Sequence, residues 1–153
     1  MDRDLTCCVT GHRHLPSGRV EYVKVELEKE VWAALRQGYT HFISGFAPGV
    51  DLMFAEIIAG LKRTDPITLE AALPCPDRMK TPDQTFQRLI RCCDVVRVHS
   101  NHYFKGCYMV RNRRMVDASQ LVIAVWDGRK TGGTAATLRY AGGKCRDILM
   151  IYI

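Results

Sequence analysis

Short apolar runs alternate along the chain with longer segments in which apolar residues recur every three or four positions. The short runs have the length of β-strands, and the recurring spacing is that of amphipathic helices. The pattern predicts strands at residues 5–9, 41–43, 67–73, 95–99, 121–126 and 148–153. It predicts helices at residues 18–37, 50–61, 83–93, 108–118 and 134–142.

Strands and helices that alternate in this way form right-handed crossovers and a mainly parallel sheet. The run Leu-Val-Ile-Ala-Val at residues 121–125 is apolar throughout, which is typical of a strand buried on both faces. The sequence therefore predicts one α/β domain over residues 1–153, three-layered and doubly wound, with about six strands. In such sheets ligands bind beyond the carboxyl ends of the strands, where the strand order reverses.

Four segments of unusual composition each follow a predicted strand and precede a predicted helix. They are TGHRHLPSG (10–18), SGFAPGVD (44–51), YFKGCYMVRNRRMVD (103–117) and DGRKTGGT (127–134). The connections that return from helix to strand are shorter or plainer. Because the carboxyl ends of parallel strands lie at one edge of the sheet, we expect all four segments to meet at one rim and form a site there.

The segment that begins at Asp127 has the features of an anion site. Gly132 and Gly133 allow backbone N–H groups to face a phosphate, and a helix from Thr134 offers the positive end of its dipole. Thr134 either caps that helix or donates its hydroxyl to the phosphate. A flexible turn with a threonine cap is the alternative interpretation.

The segment after the second strand supplies further candidates. Ser44 and Gly45 end the strand, Gly49 permits a tight turn, and Asp51 is placed to cap the next helix. Ser44 and the glycines are candidates for contact with a nucleotide sugar or phosphate. Capping alone is the alternative for Asp51.

Polar residues at the starts of two other segments complete the predicted site. Gly11, His12 and Arg13 follow the first strand, and the fork of an arginine matches phosphate oxygens. His12 is interpreted as a general acid or base, a hydrogen-bond donor to the ligand, or a loop residue. Arg111 and Asn112 lie nearest the rim on their helix and are candidates for ligand contact.

The composition of the chain limits which ligands and partners we expect for such a site. The net charge of +6 suits a polyanion, but the acidic residues are spread along the chain, which favours a small phosphorylated ligand over an extended nucleic-acid surface. Seven cysteines without a C-x-x-C spacing predict reduced thiols, no metal site and no required cofactor. Without a signal peptide or a membrane-length apolar run, we expect a cytoplasmic protein that pairs with copies of itself through helices.

Together the motifs resemble the YpsA-like branch of the SLOG superfamily, over residues 6–141. The matching residues are TGHR (10–13), S-G-x-A-x-G-x-D-x-x-x-A-E (44–56), Y-x-x-G (103–106), R-N-x-x-M-V-D (111–117) and W-D-G…G-G-T (126–134). This branch is similar to the Lonely Guy phosphoribohydrolases and to the DNA-processing protein A family. The resemblance implies a Rossmann-like fold and recognition of a nucleotide or nucleotide-derived ligand related to NAD or ADP-ribose.

One departure from the Lonely Guy enzymes bears on activity. Those enzymes carry R-x-x-x-M and then P-G-G-x-G-T-x-x-E, and they cleave the N-glycosidic bond of nucleoside monophosphates. Arg111 and Met115 match the first motif, but Thr137 stands where the second has glutamate. Because N-glycoside cleavage needs a carboxylate, a hydrolase here requires Asp51, Glu56 or Asp127 as a substitute.

Three functions are consistent with these observations. The first is binding of a nucleotide-derived phosphorylated ligand, in a sensor or in a protein whose reaction is not specified. The second is a Lonely Guy-like phosphoribohydrolase. The third is single-stranded nucleic-acid binding, for which Tyr103, Phe104 and Tyr108 near Arg111 are the candidate stacking residues.

Overall fold

The computed structural model describes residues 5–153, which form six strands and five α-helices in the predicted alternation. The strands are β1 (Leu5–Thr10), β2 (Tyr39–Ser44), β3 (Thr68–Leu73), β4 (Val95–Val98), β5 (Leu121–Trp126) and β6 (Asp147–Tyr152). The helices are α1 (Val20–Arg36), α2 (Val50–Leu61), α3 (Gln84–Ile90), α4 (Cys107–Asp117) and α5 (Gly133–Gly143). No helix within residues 5–153 is long and apolar enough to cross a membrane.

The strands form one parallel sheet in the order β4-β3-β2-β1-β5-β6. The order runs from β1 outward to β4 on one side and then from β5 to β6 on the other. It reverses between β1 and β5, where Cys8 pairs with Val122 and Val9 with Ile123. The predicted doubly wound α/β fold is confirmed, and the crevice expected at the reversal lies beyond the carboxyl ends of these two strands.

The sheet separates two apolar layers. Cys7 packs in the cluster that contains Leu27 of α1, Phe54 of α2 and Phe86 of α3. Cys8 packs in the other cluster, with Met115 of α4 and Ala141 of α5. Adjacent cysteines thus face opposite layers, as the alternation of a strand requires. All seven thiols are free, as the sequence predicts.

The predicted boundaries agree with the structure within two residues except at α3. This helix begins at Gln84 and ends at Ile90. Asp83 precedes the helix as its N-cap, and its carboxylate accepts hydrogen bonds from the backbone N–H groups of Thr85 (2.9 Å) and Phe86 (3.3 Å). The apolar pattern extends into the turn beyond Ile90, which explains why the sequence predicts a longer helix.

Candidate functional site

The four segments that follow β1, β2, β4 and β5 enclose a cavity of about 500 Å³ at the reversal of strand order. Connections from distant parts of the sequence therefore share one rim, as the sequence predicts. Nine of the predicted ligand-binding residues line the cavity: Gly11, His12, Arg13, Asp51, Arg111, Asn112, Gly132, Gly133 and Thr134. Four others do not line it: Ser44, Gly45, Gly49 and Asp127.

The turn between β5 and α5 presents open backbone to the cavity. Gly132 has a φ of +96°, a conformation that favours glycine, and it directly precedes α5. A Cβ built on Gly133 would meet no atom within 4 Å, so packing within the chain does not require glycine there. The interpretation of Thr134 as the cap is wrong, because α5 already begins at Gly133 and has no side-chain cap. The first N–H groups of α5 are thus available to an anion.

Two other predicted glycines, Gly45 and Gly49, are explained by contacts within the chain. A Cβ on Gly45 would lie 2.8 Å from Oδ2 of Asp51 and 2.9 Å from Nη1 of Arg111. Gly49 has a φ of +83°, and a Cβ there would collide with the backbone carbonyl oxygen of Arg13. Gly45 lets the loop after β2 approach the charged groups of Asp51 and Arg111, and Gly49 lets the same loop approach the backbone after β1.

Gly11 and Ser44 also have roles in packing. A Cβ on Gly11 would lie 2.5 Å from Cγ1 of Val50, so glycine lets the start of α2 approach β1. Ser44 is fully buried. Its hydroxyl donates to the backbone carbonyl of Asp51 (2.8 Å) and accepts from the backbone N–H of Phe46 (3.1 Å). Both residues shape the loop before α2.

Arg111 brings a nearly buried cation to the cavity, with 3% of the residue exposed. Its Nη1 donates to the carbonyls of Gly45 (2.7 Å) and Ala72 (3.0 Å), and its Nε donates to Oδ1 of Asn112 (2.8 Å). No carboxylate of residues 5–153 lies within 4.0 Å of the guanidinium. Within residues 5–153, every buried side-chain nitrogen has a hydrogen-bond partner, whereas Nη2 of Arg111 has none. Nη2 is therefore not buried, and because Arg111 lines the cavity, Nη2 is open to it.

Asp51 is the buried carboxylate of the cavity, with 9% of the residue exposed. The interpretation of Asp51 as an N-cap is wrong: Gly49 precedes α2, and Oδ2 of Asp51 accepts instead from the backbone N–H of Ala47 (3.3 Å). Burial raises the pKa of Asp51 from 3.8 to about 6, against the opposing effect of the Arg111 charge. A carboxyl group with a pKa this close to neutrality is suited to proton transfer.

We expect Asp51→Asn to raise the free energy of unfolding at pH 7.5 by about 3 kcal/mol. The folded pKa of Asp51 is raised, so the folded state holds a proton that the unfolded state has released between the two pKa values. Stability therefore falls as pH rises through this window, and asparagine removes the loss. Urea unfolding at several pH values measures the effect.

The gain from Asp51→Asn should vanish below about pH 4, where the carboxyl is protonated in both states. Glu56→Gln, on the same helix, is the matched control because Glu56 is half exposed and pairs with Arg88 (2.6 Å) at the surface. It should lower the free energy of unfolding by less than about 1 kcal/mol. Unchanged stability of Asp51→Asn at pH 7.5 would contradict the burial of a charged carboxylate.

The ring of Tyr108, a residue absent from the predicted site, contacts two cations of the cavity. The Cζ atom of Arg13 lies 5.0 Å from the ring centre, and that of Arg111 lies 5.4 Å from it. Cations over an aromatic face are stabilised by its quadrupole, which helps two like charges to coexist. The signal in the sequence is spacing, because residues three apart on a helix share a face.

His12 joins the loop after β1 to the loop after β5. The backbone nitrogen of Asp127 lies 3.1 Å from Nε2 of His12 and donates to it when the ring proton is on Nδ1, and Oδ1 of Asp127 lies 3.3 Å from the same Nε2. Burial lowers the pKa of His12, which favours the neutral ring. The carboxylate of Asp127 accepts from Nε of Arg129 (2.8 Å). Arg129 lines the cavity but is absent from the predicted site. Its position between Gly128 and Gly132, in a segment predicted to bind an anion, is the sequence feature that could have identified it.

Only one of the three carboxylates named as substitutes for glutamate lines the cavity, namely Asp51. Glu56 is held at the surface by Arg88, and Asp127 lies outside the lining. Thr137 is buried, and its hydroxyl donates to the backbone carbonyl of Gly133 (2.8 Å). Within residues 5–153, no group of three or more His, Cys, Asp or Glu residues is arranged to hold a metal ion.

The fold is similar to those of several proteins of known structure. DNA processing protein A from Helicobacter pylori, described for its single-stranded DNA binding mode, matches with a TM-score of 0.69 and 18% identity. The match covers 95% of this chain but only 64% of that protein's chain. The structural-genomics target TM1055 matches with a TM-score of 0.57 and 16% identity, over 94% of this chain and 72% of that chain.

The Moco carrier protein of Chlamydomonas rheinhardtii matches with a TM-score of 0.54 and 14% identity, over 97% of this chain and 76% of that chain. No protein-family model matches the sequence, and no curated protein matches it significantly. Identities this low show a shared fold. They agree with the Rossmann-like fold that the resemblance to the SLOG superfamily implies.

Proposed function

We propose that the cavity binds a nucleotide-derived ligand, related to ADP-ribose or NAD, with a phosphate against the turn Gly132–Thr134. The observation that carries this proposal is that the start of α5, which has no side-chain cap, lines the same cavity as Arg13 and Arg111. The free N–H groups of a helix start and nearby guanidinium groups together favour an anion. A Cβ on Gly133 would meet no neighbouring group, so a phosphate has room to approach the backbone there.

The charges around the cavity support an anionic ligand. Arg13, Arg111 and Arg129 line it, against the single carboxylate of Asp51. Within residues 5–153, neither Arg13 nor Arg111 has a carboxylate within 4.0 Å. Because a guanidinium donates two parallel hydrogen bonds to a phosphate, these side chains supply both charge and geometry.

The nucleotide part of the proposal depends on the place of the cavity and on the fold. The cavity lies at the reversal of strand order, the position at which doubly wound sheets bind nucleotides. The structurally similar proteins include one described for binding single-stranded DNA and a Moco carrier. A volume of about 500 Å³ is typical of small-molecule pockets and leaves room for a base and a sugar beside the phosphate.

A thermal-shift panel with ADP-ribose, NAD and AMP tests this function. A ligand at 100 times its dissociation constant should stabilise the protein by about 2.7 kcal/mol, which gives a shift of several degrees in Tm. We expect at least one member of the panel to give a saturable shift. The absence of a shift with all three compounds at millimolar concentration would contradict the proposal.

A second candidate is phosphoribohydrolase activity, and the burial and raised pKa of Asp51 favour it. In this alternative Asp51, in place of the missing glutamate, stabilises the oxocarbenium-like transition state or activates water. Incubation with AMP and related monophosphates should then release free base, and Asp51→Asn should abolish the release. If no base is released across the panel, the cavity binds its ligand without this reaction.

Single-stranded nucleic-acid binding is the third candidate, and the exposure of two aromatic rings favours it. Tyr103 is 60% exposed and Phe104 is 38% exposed, in the loop before α4. The ring of Tyr108 already contacts two arginines of the cavity, with their Cζ atoms 5.0 and 5.4 Å from its centre. An affinity for single-stranded DNA that falls steeply with salt, and that Tyr103→Ala weakens, would support this candidate.

A further inference from the structure

A second cavity of about 280 Å³ lies between helix α4 and the face of the sheet that this helix covers, and residues of strands β1–β4 line it. Its polar lining differs from the apolar surroundings of that layer. The charged and ionisable residues that line it are His41, Glu70, Arg97, His99 and Arg114. None of them lines the cavity at the reversal of strand order, so a ligand of the second cavity is independent of the function proposed for the first.

The one carboxylate of this second cavity already has its partners. Glu70 is buried, with 5% of the residue exposed. Its Oε1 lies 2.8 Å from Nε2 of His41, and its Oε2 lies 3.3 Å from Nε of Arg97. Nδ1 of the same histidine is bonded to Oγ1 of Thr68 (2.6 Å). The negative charge and both ring nitrogens of His41 are thus satisfied within the chain.

The other two ionisable residues of the lining, His99 and Arg114, have no ion pair or side-chain hydrogen bond of this kind in the part of the chain that the structure describes. Within residues 5–153, Arg114 is exposed at the mouth of the cavity and has no carboxylate within 4.0 Å, and the side chain of His99 makes no hydrogen bond. His99 is partly buried, so its ring is also partly withdrawn from water. Burial lowers the pKa of His99, and the charges of Arg114, Arg111 and Arg97 act in the same direction against Glu70. The cavity is lined by two arginines and one carboxylate, so its formal charge is positive.

We propose that the second cavity binds a small oxyanion, a phosphate or a carboxylate group, between His99 and Arg114. Arg114 supplies the fork of donors and the charge, and the ring of His99 supplies one N–H. The cavity is little more than half the size of the first one, which suits a small anion better than a whole nucleotide. Glu70 opposes the anion and limits its affinity.

Histidine-ring NMR at pH 7.5 and constant ionic strength tests this site, with inorganic phosphate and acetate as separate probes. We expect a saturable shift of the His99 ring signals with at least one probe, and the comparison tells whether phosphate or carboxylate is preferred. Arg114→Gln should weaken binding about tenfold or more, because a charge-assisted hydrogen bond is lost. Arg113→Gln, at a neighbouring exposed position of α4 that does not line the cavity, should change it less than about twofold.

Two further variants test whether the NMR response of His99 arises from anion binding in the second cavity. Glu70→Gln removes the opposing charge and should strengthen binding several-fold. Gly133→Asp alters the first cavity and should leave the His99 response unchanged. This variant therefore tests the second site independently of the function proposed for the first. A response that does not saturate, or one that Arg113→Gln and Arg114→Gln weaken equally, would overturn the proposal.

Discussion

ADP-ribose should no longer bind detectably after Gly133→Asp, although the protein stays folded. The new carboxylate would occupy the open space before α5 and face the position proposed for the phosphate. Like charges about 4 Å apart near a protein surface repel by several kcal/mol, so affinity should fall about 100-fold or more. Isothermal titration calorimetry measures the affinity, and the unfolding midpoint measures the fold.

Stability should respond to Gly133→Asp in the opposite direction from binding. A carboxylate in the first turn interacts favourably with the helix dipole, so the free energy of unfolding should stay level or rise by up to about 1 kcal/mol. Gly142→Asp is the matched control, since Gly142 lies at the other end of α5 and also has open space for a Cβ. It carries the same change of charge and should leave ADP-ribose binding intact. Equal loss of binding in both variants would point to overall charge as the cause.

Arg111→Met should lower the free energy of unfolding by about 3 to 5 kcal/mol. The guanidinium donates to the buried carbonyls of Gly45 and Ala72, and methionine leaves both without this donor. It also removes the cation that opposes protonation of Asp51, so the pKa of this carboxyl should rise further above its value of about 6. Urea unfolding gives the stability, and its pH dependence gives the shift at Asp51.

Arg113→Met on the same helix is the control for the loss of Arg111. Arg113 is exposed, with its Cζ 5.2 Å from the ring centre of Tyr140, and a surface cation–π contact contributes about 0.5 to 1 kcal/mol. If Arg111→Met were no more destabilising than Arg113→Met, Arg111 would not be the group that holds the loop after β2 against β3. Arg111 would then act on the ligand alone.

The architecture was accessible from sequence because local patterns determine it. The apolar run of β5 predicts a strand buried on both faces, and five of its six residues are buried. The regular spacing in α1 predicts a core-facing stripe of Val20, Val23, Leu27, Val31 and Leu35. Val23, Leu27 and Val31 are buried and Leu35 is partly buried, but Val20, the first residue of the helix, is 40% exposed. At α3 the same reasoning fails, because the apolar pattern does not show where hydrogen bonding ends.

The site could be predicted only in part from the sequence. A glycine that leaves room for a ligand and a glycine that a close contact within the chain requires look the same in a sequence. Gly133 has open space before it, whereas Gly45 and Gly49 are required by close contacts with groups distant in the chain. Those contacts depend on how loops from different strands pack together. Phe46 adopts a positive φ of 57° while fully buried, and no sequence pattern predicts this for a bulky residue.

The most direct test is a crystal structure of the protein bound to ADP-ribose. We expect a phosphate oxygen within about 3 Å of the backbone nitrogen of Gly133 or Thr134, with Nη2 of Arg111 turned toward the same phosphate group. Electron density for the ligand at any other surface, with the turn before α5 empty, would contradict the assignment of this turn as the phosphate site.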